Sequence, residues 1–161
     1  MYKIGEMAVY PAQGVGVIEA IESREFSGER SDFYILRILD SDMTIMVPVN
    51  NACQVGMRGL IAKERVTEVY DILKERREEG QAIASWSRRQ REYNDKIKTG
   101  DLCEVAEVLR ELYQIREAKE LSYGEKKVLE LARKLLVKEI AFAQGDDEDM
   151  VVERVENIFI N

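Results

Sequence analysis

A chain of 161 residues, 45% apolar and 34% charged, is long enough for one ordinary domain or two small ones and apolar enough to build a core. No apolar run approaches the roughly 20 residues needed to span a bilayer, and the first six residues lack the apolar stretch of a signal peptide, so a cytoplasmic protein without membrane contact is expected. Histidine is absent, which removes the commonest general base and metal ligand, and no Gly-rich phosphate loop or nucleophile elbow appears; neither an enzyme, a cofactor nor a small-molecule substrate is expected.

The first 60 residues read as β-structure. Met7-Ala8-Val9-Tyr10 is short and apolar, and Pro11-Ala12-Gln13-Gly14 is a turn. Val15 to Glu22 alternates in part between apolar and polar residues, and Ser27-Gly28 marks a second turn. Phe33 to Leu39 is rich in β-formers. Asp40-Ser41-Asp42 turns the chain again, Met43 to Pro48 follows, and Val55 to Leu60 is expected to close the set as a fifth strand. Pro48 cannot donate to a ladder, so it is expected at a strand end or on an edge. Five short strands joined by turns predict a small barrel of the SH3 or Tudor kind.

From Lys63 onward the period changes to that of helices, and no proline follows Pro48. Val66, Val69, Tyr70 and Leu73 share one face of a helix running from Lys63 to about Glu78, with a break expected at Glu78 to Gln81. Trp86 to Lys98 forms a second helix, stopped by Gly100. Asp101 is placed to cap a third, with Glu104 completing a capping box; Ser122 and Glu125 repeat the device for a fourth. A short amphipathic helix over Met150 to Phe159 ends the chain. Cys53 and Cys103 have no CxxC spacing and are read as free, buried thiols. The expected architecture is therefore α+β: a Tudor/SH3-like barrel over residues 1–60, then a compact all-α domain over residues 61–161.

Charge is uneven along this chain of net charge −7: residues 83–143 carry net +2 and residues 144–161 net −5. The basic excess gathers around Trp86, the sole tryptophan, in Ser85-Trp86-Ser87-Arg88-Arg89-Gln90-Arg91. An aromatic among cations has the composition of a nucleic-acid contact, in which cations meet phosphates and the ring meets bases. Two plainer readings stand beside it. Tyr93 and Ile97 share the face of Trp86, which suits inward packing, and Glu92 and Asp95 could pair with the arginines on a solvated face.

The motifs together resemble those of the CarD/CdnL-type bacterial transcription regulators. Gly5, Val9-Tyr10-Pro11-x-x-Gly14, Val17-x-Glu19-Ala20-Ile21-Glu22 and Val47-Pro48 resemble the opening domain of that family. Trp86-Ser87-Arg88-Arg89, Gly100-Asp101, Val105-Ala106-Glu107-Val108-x-Arg110-x-Leu112 and Leu121-Ser122-x-Gly124-Glu125-Lys126 resemble its helical domain, in the same order. The resemblance implies a barrel that binds the β subunit of RNA polymerase, as does the similar module of the transcription-repair coupling factor. It implies a helical domain that touches promoter DNA at the upstream edge of the melted region and stabilises the open complex, with localisation at the nucleoid through polymerase. On it, Trp86 is a minor-groove wedge, Arg88, Arg89, Arg91, Lys126 and Lys127 are DNA contacts, and Arg24, Thr44, Ile45, Met46, Val47 and Pro48 meet polymerase. Met46 stands where the family often has a basic residue and Gln13 where histidine is common. The alternative reading is a protein-interaction adaptor that never touches DNA.

Overall fold

The computed structural model describes residues 1–75 and 86–160, and the chain forms two compact units, Met1–Leu60 and Ile61–Asn161. The first is a curled four-stranded antiparallel sheet, a half-barrel. Strands β1 (Met7–Tyr10), β2 (Gly14–Phe26), β3 (Glu29–Ile38) and β4 (Thr44–Pro48) lie side by side in chain order. Each turn is built from the residues its geometry requires. Ser27 and Gly28 both take positive φ (52° and 82°), the two-residue turn whose twist matches its flanking strands. Pro11 starts the β1–β2 turn, which Ala12 and Gly14 complete at positive φ.

Register decides what this sheet buries. Tyr34, Leu36 and Ile38 of β3 point inward, joined by Ala8, Ile18, Val47, Ala52 and Met57. β2 alternates only in part because a bulge interrupts it: Ile18 pairs with Leu36, but Ala20 pairs with Ile35, so Glu19 is the extra residue. Gly16 of β2 lies tightly against β3. A Cβ there would sit 2.8 Å from Leu36 Cδ1 and 2.9 Å from the Arg37 carbonyl.

The expected fifth strand is absent. Residues 51–57 coil instead, with Val55 N–H donating to Asn51 O, Gly56 to Cys53 O and Met57 to Ala52 O. Donors spent within a turn cannot form a ladder. Only Arg58 reaches the sheet, exchanging two backbone hydrogen bonds with Val9 at 2.6 and 3.1 Å. This contact covers the outer edge of β1. Among the described residues no strand pairs the outer edge of β4. Both thiols are free, but Cys53 is exposed in the coil and Cys103 half-buried, contrary to the expected burial.

The second unit begins with a single 3-10 turn (Lys63–Arg65), followed by α1 (Val66–Lys74), α2 (Trp86–Lys98), α3 (Leu102–Ala118), α4 (Tyr123–Gln144) and α5 (Glu148–Ile160). α1 ends earlier than its sequence pattern, with Glu75 already extended; the break expected at Glu78 to Gln81 lies outside the described residues. α3 is central, packing on α1, α2 and α4. Leu102, Val105, Ala106, Leu109, Leu112 and Tyr113 are all buried, as their spacing predicts. Arg110 is buried too, and donates to the Ile72 carbonyl at 3.2 Å and to Glu75 at 3.1 Å, satisfying the carboxyl end of α1.

The two predicted capping boxes part company. Ser122 accepts from Glu125 N–H while the Glu125 carboxylate accepts from Ser122 N–H, closing the box on α4. Asp101 caps α3 through Cys103 N–H, but Glu104 does not answer, because the Asp101 amide already donates to the Thr99 hydroxyl. Gly145 ends α4 at φ 70°, a left-handed conformation glycine adopts without penalty. α5 is pinned by Tyr113, which stacks on Phe159 at 4.2 Å and donates its hydroxyl to Glu156.

Gly16→Ala is expected to cost about 1–3 kcal/mol, because the clash involves a strand carbonyl that cannot move aside. Amide resonances of residues 1–60 followed through urea unfolding of the full chain should shift to lower midpoint while those of α3 and α4 stay put.

Candidate nucleic-acid and protein interfaces

The basic residues of α2 and α4 belong to one construction. α2 is held inward by Tyr93 and Ile97, both buried, and by Lys96, whose ammonium is 2.9 Å from Glu107 of α3. Burial, reinforced by nearby Glu111, pushes the Tyr93 hydroxyl up to about 12. Nearer its start, α2 is tied to α4. Arg89, with its side chain only 12% exposed, donates to the Glu125 carboxylate at 3.2 Å, and Glu125 is 3% exposed. Glu125 is the capping-box residue of α4, so one carboxylate holds the helix's own first turn and the neighbouring helix together.

That carboxylate is stabilised as an anion. Burial pushes it up, but hydrogen bonding to Ser122 and then the Arg89 guanidinium outweighs burial and holds it below its ordinary 4.5. Breaking such a pair leaves a buried charge uncompensated.

Four of the other predicted DNA contacts, Arg88, Arg91, Lys126 and Lys127, face solvent. Trp86 is the first residue of α2; its side chain lies outside the described residues. The Arg88 side chain is 75% exposed and loosely paired with Glu92 one turn on, at 3.7 Å. Exposed pairs of this kind contribute little, so its guanidinium exchanges readily between carboxylate and phosphate. Arg91 is exposed and has no ion pair among the described residues. On α4, Lys126 is 3.9 Å from Glu120, and Lys127 lies 5.1 Å from the centre of the Tyr123 ring; neither pairs with Glu130 as the helical spacing suggests. Arg88, Arg91, Lys126 and Lys127 thus lie exposed on two helices that the Arg89–Glu125 pair joins. Arg89 differs from them, since its charge is committed inside the unit.

In the β unit the six predicted partner contacts divide. β4 presents alternate faces: Met46 is 40% exposed and Thr44 exposed, whereas Ile45 packs against the core and Val47 is 1% exposed. Val47 is therefore part of the sheet core, and of these strand residues Thr44, Met46 and the half-buried Pro48 are the ones left accessible. Pro48 lies opposite Phe33, at the end of the strand as expected. Arg24 is exposed on the β2–β3 hairpin, beyond the level of Pro48, and pairs with Glu22 at 2.9 Å.

Residues 2–61 match the family model described as CarD-like/TRCF RID domain, and residues 68–156 match CarD, C-terminal domain. The chain is 33% identical over 154 residues to the putative transcription factor YdeB of Bacillus subtilis (strain 168), a match covering 94% of this chain and 97% of that one. A solved structure of CdnLNt from Myxococcus xanthus is 49% identical, covering 38% of this chain and 86% of its own, with a TM-score of 0.33. The N-terminal domain of M. xanthus CarD is 30% identical, covering 37% and 79%, with a TM-score of 0.32.

Arg89→Ala is expected to destabilise the helical unit by about 2 kcal/mol at neutral pH, by leaving Glu125 buried and unpaired. The depressed carboxyl contributes stability in full above 4.5 and loses it as pH falls through its lower folded value. Thermal unfolding should therefore separate the two chains most at pH 7 and bring them together as pH falls below the depressed carboxyl value of the parent, where Glu125 is protonated in both.

Proposed function

The chain belongs to the CarD family of transcription factors, and from that premise we propose that it docks on the β subunit of RNA polymerase through its β unit and stabilises the open promoter complex through its helical unit. The observation that carries this reading is the pairing, in one chain, of a polymerase-interaction type of domain with a helical unit that carries exposed cations on α2 and α4, two helices tied by the Arg89–Glu125 pair. Trp86 at that start is the minor-groove wedge. A wedge has to replace base stacking worth a few kcal/mol, which suits a large, stiff, apolar ring. Arg88, Arg91, Lys126 and Lys127 hold phosphates on either side without reading sequence, while Arg89 sets the angle of α2 from within.

A protein of net charge −7 is a poor DNA binder by itself, and four phosphate contacts make a weak, salt-sensitive complex. Docking on polymerase removes that difficulty. It turns DNA contact into an intramolecular step at an effective concentration that reaches the millimolar range for short connections. The polymerase contact is assigned to the open edge and outward face of β4, with Arg24 beside it. Met46 makes that face more apolar than a basic residue would. The protein works where polymerase works, on the cytoplasmic nucleoid.

Trp86→Ala should shorten open-complex lifetime roughly tenfold, in line with about 1–3 kcal/mol per stacked base. Lifetimes measured after competitor challenge on a slow-melting promoter check this; an unchanged lifetime with polymerase binding intact favours an adaptor that does not touch DNA. Met46→Asp should weaken capture of core polymerase by about tenfold while leaving the thermal midpoint unaltered, since the side chain is exposed.

A further inference from the structure

In the helical unit α1 packs against α5, and a cavity of about 480 Å³ opens between them. Tyr70, Asp71 and Lys74 of α1 line it on one side, and Arg154, Asn157 and Ile158 of α5 on the other. A volume of this size lies in the range of small-molecule sites. Neither the polymerase contact nor the DNA contact uses any of these residues. Helical spacing brings them together. Val66, Val69 and Leu73 turn one face of α1 to the core, and Val151 and Val155 do the same for α5, which leaves the adjoining flanks to line the cavity.

Tyr70 differs from the other buried tyrosines. Its hydroxyl is buried and has no hydrogen-bond partner among the described residues, whereas Tyr34 accepts from the Tyr2 N–H and Tyr113 donates to Glu156. A buried polar group without a partner costs stability unless something else meets it. Burial pushes this hydroxyl up from its ordinary 10 against the pull of Arg154, so at neutral pH it is a donor. The charges beside it are open as well. Asp71 and Lys74 are exposed one turn apart, at the spacing of a helical ion pair, yet neither has an ion pair among the described residues. Arg154 is paired with Asp146 at 2.8 Å, but its side chain is 45% exposed, and an exposed pair of this kind exchanges at little cost.

We propose that the cavity between α1 and α5 is a binding site for a free amino acid with an apolar side chain. Lys74 and Arg154 meet its carboxylate, and the Tyr70 hydroxyl donates to a carboxylate oxygen. Asp71 accepts from its ammonium group, and its side chain lies against Ile158 and the Tyr70 ring. Charge complementarity selects this ligand. The lining carries both signs, two cations and one carboxylate, so it fits a zwitterion better than a plain anion. Separation narrows the choice further. Residues three apart on a helix hold their Cβ atoms about 5–6 Å apart, so Asp71 and Lys74 can reach opposite charges carried on a single carbon. A peptide terminus offers only one of those charges. The Asn157 amide, which both donates and accepts, is compatible with either group.

Titration of the isotope-labelled full chain with L-phenylalanine, followed by amide resonances, tests the site without polymerase or promoter, so its outcome is independent of the proposed function. A ligand of about twelve heavy atoms is expected to bind with a Kd on the order of 1 mM. Saturable shifts are expected at Tyr70, Asp71, Lys74, Asn157 and Ile158, with residues 1–60 unmoved. Phenethylamine and phenylpropionate each lack one of the two charges and should bind about tenfold more weakly. Asp71→Asn and Lys74→Ala, both at exposed positions, should each weaken phenylalanine binding by a similar factor. Tyr70→Phe should weaken it about threefold and leave the thermal midpoint unchanged, because the hydroxyl removed has no partner to lose. Absence of saturable shifts up to about 10 mM, tenfold above the expected Kd, overturns the proposal. So does phenylpropionate binding as tightly as phenylalanine, or a Tyr70→Phe chain that binds as the parent does.

Discussion

Glu125 stands between two demands. Its side chain is 3% exposed, where an isolated carboxylate is costly, yet it remains an anion because Ser122 donates from one side and Arg89 from another. The arrangement makes the first turn of α4 depend on α2 and the direction of α2 depend on α4. A buried pair of this sort is weak evidence for stability but good evidence for register, since only one packing of the two helices satisfies it. The exposed cations on both helices inherit their spacing from that register. Removing Arg89 therefore reaches the candidate DNA surface without removing a charge that faces solvent.

The β unit answers a different problem, that of sheet edges. A curled sheet of four strands has two of them, and exposed edges invite pairing with other chains. The β1 edge is covered by the two hydrogen bonds between Val9 and Arg58. The β4 edge has no such cover among the described residues, and its outward face carries Met46 and Thr44. An edge left open on one side alone, and closed on the other by the unit's own last residues, gives a protein partner one preferred approach. Strand alternation keeps that surface independent of the core: Val47 holds the sheet together while its neighbour Met46 is free to meet a partner.

The two units are complementary in charge logic. Net negative charge disfavours binding to DNA at large, and a small exposed cationic surface is enough only when another contact supplies proximity. On the proposed function, a factor built this way is expected to have little activity on bare DNA and to act where polymerase has already positioned a promoter.

Much of this was legible from residue order. Turn residues at Pro11 to Gly14 and Ser27-Gly28, alternation along Phe33 to Leu39, and apolar spacing along α3 and α4 are local signals, set by steric and periodic rules that act over a few residues, and they located most elements and the split near residue 60. The fifth strand failed because Val55 to Leu60 has strand composition while the N–H groups of Val55, Gly56 and Met57 go to a coil that no single-residue preference reports, leaving Arg58 to bridge to the sheet. The capping box at Asp101 failed because a third residue, Thr99, satisfied the amide first. The division of the predicted contacts was also hidden. Arg88 and Arg89 are neighbours of identical chemistry, and Val47 and Met46 are both apolar. Local residue order set the elements, the two units and the basic segment. Tertiary structure alone decided that Arg89 turns inward to a carboxylate 36 positions away while Arg88 faces solvent, because burial and partner choice depend on residues brought together only when the chain has packed.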